Sequence, residues 1–307
     1  MVAVVVEQTE VETPEETAER KDARSGTIAQ REAYAVRRRE ANAERDAQRV
    51  RLAAGLAQRS ELAIPSEHGY LSVPPGTLDP QVAAVVEHAG GLIDSIGHDA
   101  LLEQGTKGGF IARGFLPEAS LQLGSPYLDF ALDERVVGPV AAYLGVVPVL
   151  TDVDVWYSAH HPKAPKSSQL WHLDHADTTQ IKVWIHVDEI DELSGPLTVV
   201  GAADSSEIAD GNDYDFGDSY RLADDAVPTD RCVAFEGPAG TVDFVDTSRC
   251  FHFGSRVSAE GRPRRIAVFQ YLTPYSFKFA DHRNQAGFRH LASGDSTPLE
   301  RLVLGAA

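Results

Sequence analysis

The sequence predicts a mainly β fold with flanking helices, in which helical segments come first and short strands follow. Three observations support this prediction. Residues 15–58 have a helix-favouring composition, and residues 80–93 carry an apolar stripe at helical spacing. From residue 148 onward, apolar residues instead alternate with polar ones, and turn residues separate the runs. Helices that precede a series of short strands favour a β-sandwich or jelly roll decorated by helices.

The composition limits the class of protein. A chain of 307 residues can bury a sizeable core, as one large β domain with additions or as two smaller domains. The net charge of −18 argues against nucleic acid and anionic membranes as partners, because binding them requires clustered Lys and Arg. No stretch approaches the roughly 20 apolar residues of a membrane helix, and segment 1–7 is too short for a signal peptide. Cys232 and Cys250 do not make a disulfide framework, so a cytoplasmic location is expected.

The N-terminal residues predict an extension of the main domain. Residues 15–58 are rich in Glu, Arg, Ala and Gln, but their apolar residues keep no clean heptad. We therefore expect a helical or partly disordered arm over residues 1–60, which is also a candidate surface for homo-oligomerisation. Residues 61–290 would form the main domain, beginning with a Pro- and Gly-rich linker, and residues 291–307 would form a tail.

Two helices are predicted before the strands. Asp79 and Pro80 are typical of a helix start, and the residues that follow carry an apolar stripe. A second helix is predicted across residues 126–144, because it opens at a Ser-Pro pair and closes near Gly145.

The strands begin at residue 148 and continue to residue 272. Val153, Val155 and Tyr157 alternate with Asp152, Asp154 and Trp156, and residues 180–187 alternate without interruption. Further strands are predicted at 197–200, 231–235, 240–246 and 264–272. Residues 203–230 are acidic and long for a connection inside a compact domain, so we interpret them as a surface insertion that covers an active-site mouth.

The segment that contains His172 and Asp174 is a candidate metal site. Two side chains that lie two positions apart on a strand point the same way, and His252 on a facing strand would complete a set of three. Two histidines and one carboxylate with open positions are the usual arrangement of non-haem Fe(II) oxygenases, although zinc accepts the same ligands. Four other histidines compete for a place at this site: His160, His161, His175 and His186.

The chain resembles a known enzyme family in the order of several segments. Residues from about 115 to 275 resemble phytanoyl-CoA dioxygenase-type Fe(II)/2-oxoglutarate oxygenases, and the matching segments are 169–174, 184–197, 240–244, 252–255 and 262–265. An HxD pair alone is a weak signal, but the ordered set is specific and covers about half of the chain. The resemblance implies a double-stranded β-helix, which is a cupin-like jelly roll. It also implies Fe(II) on His172, Asp174 and His252, with 2-oxoglutarate as co-substrate and O₂ as oxidant.

The same resemblance implies roles for residues around the metal. Arg264 would bind the far carboxylate of 2-oxoglutarate through its planar fork, and Arg262 and Arg265 compete for that role. Gln169 occupies a position that contacts co-substrate or substrate.

Three further side chains are candidates for the substrate pocket, with ordinary packing as an equal alternative: Tyr157, Lys182 and Trp184. An inward lysine requires a partner, because an unpaired buried charge is costly. The partners considered are Asp154, Glu236 and an anionic group of the substrate.

The function implied by the resemblance is hydroxylation of a small-molecule metabolite or natural-product intermediate, with release of succinate and CO₂. Asp174 argues against a halogenase, in which a small residue replaces the carboxylate. Desaturation, cyclisation and epoxidation remain open, because the outcome depends on how the substrate is placed. The alternatives are a non-catalytic metal-binding sensor or binding module of the cupin type, an interaction protein that acts through residues 15–58, and a zinc hydrolase.

Overall fold

The computed structural model describes residues 13–103, 109–217, 220–279 and 287–306. Its helices are α1 (Pro14–Ser25), α2 (Ile28–Ala41), α3 (Ala43–Arg59), α4 (Gln81–Ile96), α5 (His98–Glu103), α6 (Pro126–Leu132), α7 (Glu134–Leu144), α8 (Ala202–Gly211) and α9 (Pro298–Val303). Its strands are β1 (Tyr70–Val73), β2 (Ile111–Ala112), β3 (Val149–Ser158), β4 (Gln180–His186), β5 (Leu197–Val200), β6 (Cys232–Phe235), β7 (Val242–Asp246), β8 (His252–Phe253) and β9 (Arg264–Leu272). Within these ranges, no helix has both the length and the apolar character needed to span a membrane.

The strands form two antiparallel sheets. The larger sheet has the order β1-β7-β4-β9-β3-β2, and the smaller has the order β6-β5-β8. The predicted combination of antiparallel strands and flanking helices is confirmed in this general form, and it fits a jelly roll. Helices contribute more of the described residues than strands do, so the β character is concentrated in the part of the chain that carries the candidate site.

The two faces of the larger sheet bury different layers. Val155, Val183 and Phe269 belong to the largest apolar cluster, which includes the inward residues of α4, α6 and α7. Trp184 and Val268 lie on the opposite face, in a second cluster shared with residues of the smaller sheet. Since strand side chains alternate, each strand supplies both layers, and the space between the two sheets is lined by the second set.

The predicted helix at 126–144 is divided into two helices in the structure. Ser125 caps α6 by accepting a hydrogen bond from the Leu128 amide at 3.3 Å. Asp133 then adopts an extended conformation, and its carboxylate accepts a hydrogen bond from the Arg135 amide at 2.8 Å, which starts α7. An aspartate is a favoured N-cap because it satisfies amides that have no intrahelical partner. The helix predicted from Asp79 is present as α4, and the Asp79 carboxylate accepts from the Ala83 amide at 3.2 Å.

The N-terminal helices are held against the body of the protein by buried arginines. Arg31 of α2 is 2% exposed, donates to the Asp177 carbonyl at 2.8 Å and lies between the rings of Phe216 and Phe277. Arg49 of α3 is also 2% exposed and donates to the carbonyls of Val147 and Leu302 at 3.0 and 3.1 Å. Helices α1–α3 are therefore packed elements of the fold. The division into domains and the self-association of this region stay predictions, and residues 1–12 lie outside the described residues.

The acidic stretch 203–230 is also packed. It contains α8, and the Tyr214 hydroxyl accepts a hydrogen bond from the Leu173 amide at 3.1 Å. Tyr214 and Leu222 join Trp171 and Phe251 in an apolar cluster outside the smaller sheet. Residues 218 and 219 lie outside the described residues. The stretch thus contacts the segment that carries the candidate metal ligands.

Replacement of Arg49 by methionine is expected to lower the free energy of unfolding by about 3 kcal/mol. The change keeps the apolar stem but removes a buried charged donor from several main-chain carbonyls. Chemical denaturation measures the effect. Arg51→Met, at an exposed position of the same helix, is the control and should change stability by less than about 0.5 kcal/mol. Equal stability of the two variants would contradict a docking role for Arg49.

Candidate metal centre

A pair of main-chain hydrogen bonds places two histidines side by side. The His172 amide donates to the His252 carbonyl at 3.2 Å, and the His252 amide donates to the His172 carbonyl at 3.1 Å. The two residues form an isolated antiparallel bridge, and Trp171 forms another with Leu222, so the predicted strand at His172 is reduced to two bridged positions. Residues directly opposite in an antiparallel pair point to the same side. The imidazole rings are accordingly 4.2 Å apart between centroids.

Both rings are fixed in the tautomer that leaves Nε2 free. The Nδ1 atom of His172 lies 2.9 Å from the Leu170 carbonyl, and that of His252 lies 3.0 Å from the Cys250 carbonyl. A carbonyl only accepts, so each Nδ1 carries the proton and each Nε2 keeps a lone pair. Metal-binding histidines are typically oriented in this way by a hydrogen bond from the other ring nitrogen.

Asp174 completes a cluster of three potential ligands. The Nε2 atom of His172 lies 3.9 Å from Asp174 Oδ1, and the Nε2 atom of His252 lies 3.9 Å from Oδ2. One ligand atom from each of the three residues lies within 4.8 Å of the others. The Asp174 amide donates to the Thr247 carbonyl at 2.7 Å, which fixes the main chain beside the histidine bridge. Side chains of these types at this separation fit a divalent metal.

Two further side chains orient the Asp174 carboxylate. Lys182 Nζ lies 2.7 Å from Oδ2, and Gln180 Nε2 donates to the same oxygen at 3.1 Å. Gln180 also donates to the Thr247 hydroxyl at 2.6 Å. The partner of the inward lysine is therefore Asp174 rather than Asp154 or Glu236. Asp154 and Glu236 were wrong as partners. Alternation along a strand shows which face Lys182 lies on, but it does not show which loop packs opposite that face.

The local electrostatics favour the protonation states that metal binding requires. Burial lowers the pKa of His172 well below its usual value, with a contribution from neighbouring His252, and burial lowers the pKa of His252 to about 4. Burial alone would raise the pKa of Asp174, but Lys182 and the two histidines bring it well below its usual value. Two neutral imidazoles and one ionised carboxylate are therefore the stable forms near neutral pH.

A second polar cluster surrounds Arg264 at the start of β9. Its Nη2 donates to the Ser255 hydroxyl at 2.8 Å, and that hydroxyl lies 3.0 Å from the hydroxyl of Ser158. Gln169 Nε2 donates to the Ser255 carbonyl at 2.8 Å, so Gln169 reaches Arg264 only through Ser255. A Cβ atom on Gly254 would lie 3.0 Å from Arg264 Nη1, so glycine leaves room for the guanidinium. Ser255 itself has a positive φ of 63°, a conformation that often marks functional sites.

One atom of Arg264 is left without a partner. Its Nε is buried and makes no hydrogen bond to any described residue, while the whole side chain is 4% exposed. Burial lowers the pKa of Arg264 to about 10. The competing arginines are engaged elsewhere, since Arg262 is exposed and pairs with Glu189 at 2.9 Å and Arg265 pairs with Asp188. Arg264 is therefore the arginine of the three that has a free buried donor.

The remaining predicted residues divide between the two faces of the larger sheet. Lys182 reaches Asp174, and Trp184 packs in the apolar cluster between the sheets. Tyr157 lies on the other face, in the core beneath the helices, and its hydroxyl pairs with His98 Nδ1. The structure does not bring Tyr157 to the metal cluster, because β3 presents its odd-numbered residues to the helices.

The four competing histidines also lie outside the cluster of three. His160 pairs with the Val257 carbonyl at 2.9 Å, and His186 pairs with Asp243 at 2.8 Å. His175 is exposed, and His161 packs against Phe110. Ser255, in contrast, was missed as an individual site residue. Its place in the segment that follows His252 is the signal that would have found it.

Comparison with known proteins gives structural likenesses only. No family model matches the sequence, and no curated protein matches it. The chain is similar to the non-heme alpha ketoglutarate dependent carbocyclase SnoK from nogalamycin biosynthesis, with 17% identity over 71% of this chain and 86% of that chain and a TM-score of 0.49. It is also similar to EctD from S. alaskensis with 2-oxoglutarate and 5-hydroxyectoine, with 17% identity over 79% of this chain and 90% of that chain and a TM-score of 0.49. AviO1 from Streptomyces viridochromogenes Tue57 shows 20% identity over 73% of this chain and 96% of that chain, with a TM-score of 0.45.

Likenesses at this level assign neither an activity nor a residue role to this chain. The site is therefore interpreted from its own geometry, and the resemblance to phytanoyl-CoA dioxygenase-type enzymes stays a prediction.

Asp174→Asn is expected to weaken binding of a divalent metal by more than about 100-fold. Loss of a group that only orients a metal ligand typically costs roughly 10–100-fold, and loss of the ligand itself should cost more. The asparagine side chain has no negative charge, and its amide oxygen would face Lys182 instead of the metal. Calorimetric titration of the metal-free protein with Mn²⁺ measures the change. The Gln180→Ala variant should lose metal affinity by about 10–100-fold, because Gln180 only orients the ligand. The His175→Ala variant should bind metal as the wild type does. Unchanged affinity in Asp174→Asn would remove this carboxylate from the ligand set.

Proposed function

We propose that the protein is a non-haem Fe(II) enzyme that uses 2-oxoglutarate and O₂ to oxidise a small molecule. The observation that carries the proposal is the combination of two histidines and one carboxylate with a buried arginine that has an unused donor. Two histidines and one carboxylate suit iron and leave coordination positions for other ligands. Zinc would fit the three ligands equally well, but it would not explain the unused donor of Arg264.

The ligand residues fit the proposed metal without rearrangement of their partners. Both histidine Nε2 atoms are free because the Nδ1 atoms are hydrogen-bonded to carbonyls. Lys182 and Gln180 both contact Oδ2 of Asp174, which leaves Oδ1 as the carboxylate oxygen with no other strong partner. His172, Asp174 and His252 would thus hold the metal through three atoms. The co-substrate would take positions that the protein leaves open.

Arg264 is the residue proposed to bind the far carboxylate of 2-oxoglutarate. A guanidinium pairs with a carboxylate through two parallel hydrogen bonds, and its Nε–H is one of the suitable donors. The Ser255 hydroxyl is 2.8 Å from Arg264 Nη2 and lies beside the same group. An unpaired buried cation is costly, and an incoming carboxylate would remove that cost. Gln169 positions Ser255 and contributes to the same site indirectly.

When bound, iron and 2-oxoglutarate supply the oxidising chemistry, and succinate and CO₂ are the expected co-products. The role of the protein is to hold the ligands and to exclude water. Lys182 keeps the Asp174 carboxylate ionised, and Lys182 and Gln180 together orient it. Burial keeps the two histidines neutral, and the backbone carbonyls of Leu170 and Cys250 fix their tautomer. The apolar cluster around Trp171 seals the far side of the ligand segment from solvent. We propose hydroxylation of a metabolite or natural-product intermediate as the outcome.

Arg264→Ala is expected to weaken 2-oxoglutarate binding by roughly 100-fold while metal affinity changes little. Loss of one partner of a buried, hydrogen-bonded charge pair typically costs about 2–5 kcal/mol, and about 1.4 kcal/mol corresponds to tenfold. Calorimetry of the metal-loaded protein measures binding, and succinate release under air measures turnover.

Arg262→Ala and Arg265→Ala are the matched controls for this experiment. Their side chains pair with surface carboxylates, so the affinity for 2-oxoglutarate should stay within about threefold of wild type. A large loss in either control would move the co-substrate site away from Arg264. A wild-type protein that binds metal but neither binds nor consumes 2-oxoglutarate would favour a metal-binding sensor or binding module instead.

A further inference from the structure

A second arginine lies beside the metal ligands, on the segment that follows α8. The Leu222 amide donates to the Trp171 carbonyl at 2.9 Å, and these two residues form an antiparallel bridge. The Tyr214 hydroxyl accepts from the Leu173 amide at 3.1 Å and donates to the Tyr220 carbonyl at 3.0 Å. Residues 220–222 are therefore fixed along the outer edge of the segment that carries His172.

The side chain of Arg221 is directed towards the metal ligands. Leu222 lies with Trp171 and Phe251 in the apolar cluster on the far side of this segment. Because neighbouring extended residues point to opposite sides, Arg221 shares the side of His172. The electrostatics agree with this placement. The positive charge of Arg221 acts on both His172 and His252, which agrees with a position close to the two imidazoles.

Arg221 has no anionic partner in the part of the chain that the structure describes. Its Nη1 is buried and makes no hydrogen bond, and its guanidinium carbon lies 4.5 Å from the centre of the Tyr220 ring. The nearest carboxylate of the site, Asp174, is already paired with Lys182 at 2.7 Å. Arg221 as a whole is half-buried, but a buried N–H without an acceptor is unfavourable, and an anion would satisfy it.

Four other arginines that are buried or partly buried have partners within the protein. Arg31 and Arg49 donate to main-chain carbonyls, Arg256 pairs with Asp224 at 2.8 Å, and Arg265 pairs with Asp188. Among the described residues, buried guanidinium nitrogens without a partner occur at two positions, which are Arg221 and Arg264. Arg221 acts electrostatically on His172 and His252, and Arg264 lies against Gly254, two residues after His252. This distribution separates them from arginines that stabilise the fold.

The two anionic ends of 2-oxoglutarate do not require Arg221. In the proposed function, Arg264 pairs with the far carboxylate, and the metal neutralises the keto acid end. Arg221 adds a positive charge beyond those of Arg264, the metal and the paired Lys182. Arg221 would therefore be available to a second anion. Arg221 belongs to the 203–230 stretch, which lies outside the two sheets that hold the metal cluster.

We propose that the primary substrate carries a carboxylate or phosphate group, which Arg221 binds beside the metal centre. This proposal rests on the proposed function and adds the substrate class. Lys278 adds positive charge nearby. Its Nζ donates to Gln270 Oε1 at 3.2 Å, burial lowers its pKa, and the charges of Lys182 and Asp174 both act on it. These cations contrast with the net charge of −18 for the whole chain, so they would attract an anion to this site.

The test measures binding of small fluorinated anions by ¹⁹F NMR. The full chain is loaded with Zn²⁺, which is diamagnetic, and saturated with 2-oxoglutarate. The probes are 4-fluorobenzoate, 4-fluorophenyl phosphate and, as the neutral control, 4-fluorobenzamide. At least one anion should bind more tightly than the amide. Arg221→Gln should weaken the binding of that anion by about tenfold or more, as expected for loss of a hydrogen bond to a charged group. The tighter anion identifies the class as carboxylate or phosphate.

The matched control is Arg231→Gln, which changes an exposed arginine that lies directly after the 203–230 stretch and pairs with Glu207 at 2.8 Å. It should bind the anion as the wild type does, and Arg221→Lys should retain part of the affinity. The proposal is overturned by equal binding of anions and amide, or by unchanged anion binding in Arg221→Gln. It is also overturned if Arg221→Gln weakens 2-oxoglutarate itself in calorimetry, because Arg221 would then serve the co-substrate.

The two proposals fail in different ways in this experiment. If the wild type binds Zn²⁺ but not 2-oxoglutarate, the proposed function fails. The anion titration of the Zn²⁺-loaded protein still decides whether Arg221 binds an anion, because that measurement does not depend on the co-substrate.

Discussion

The reciprocal hydrogen bonds between the main chains of His172 and His252 are the constraint on which the site depends. They align two segments that are 80 positions apart in the sequence, and each segment brings its own neighbours. On one side His252 pairs with Val199 of β5, and on the other Trp171 pairs with Leu222. The bridge thus continues the smaller sheet from β6 as far as Leu222. A shift of one residue at the bridge would turn the His252 imidazole away from His172 and Asp174.

The charges around this bridge fall into two groups with different roles. Lys182 is satisfied within the protein, because it pairs with the carboxylate that it orients. Arg264 and Arg221 each keep a buried donor without a partner. Unpaired cations of this kind cost folding free energy and are retained where a ligand supplies the counter-charge. The chain therefore holds a site prepared for anions within a strongly acidic protein.

The sequence located the strands because their apolar residues alternate strictly. It grouped the metal ligands through the spacing of His172 and Asp174 and the family resemblance around His252. The strand predicted at 264–272 has the bounds of β9, and the grouping of His172 with Asp174 and His252 is present in the structure. The sequence did not assign the face that meets the metal site where both faces of a strand pack against other elements. Tyr157 lies between half-buried Trp156 and buried Ser158, so the sequence could not show which face meets the helices. Arg221 gave no signal, because its role depends on how an acidic connection folds back against the ligand segment.

The most direct test of the central claim is an anaerobic titration of the metal-free protein with Fe(II) and then with 2-oxoglutarate. The measured quantity is the weak visible charge-transfer absorption that arises when a 2-oxo acid chelates Fe(II). We expect this band in the wild type and its loss in His252→Ala. A wild-type protein that binds Fe(II) but shows no band on addition of 2-oxoglutarate would contradict it.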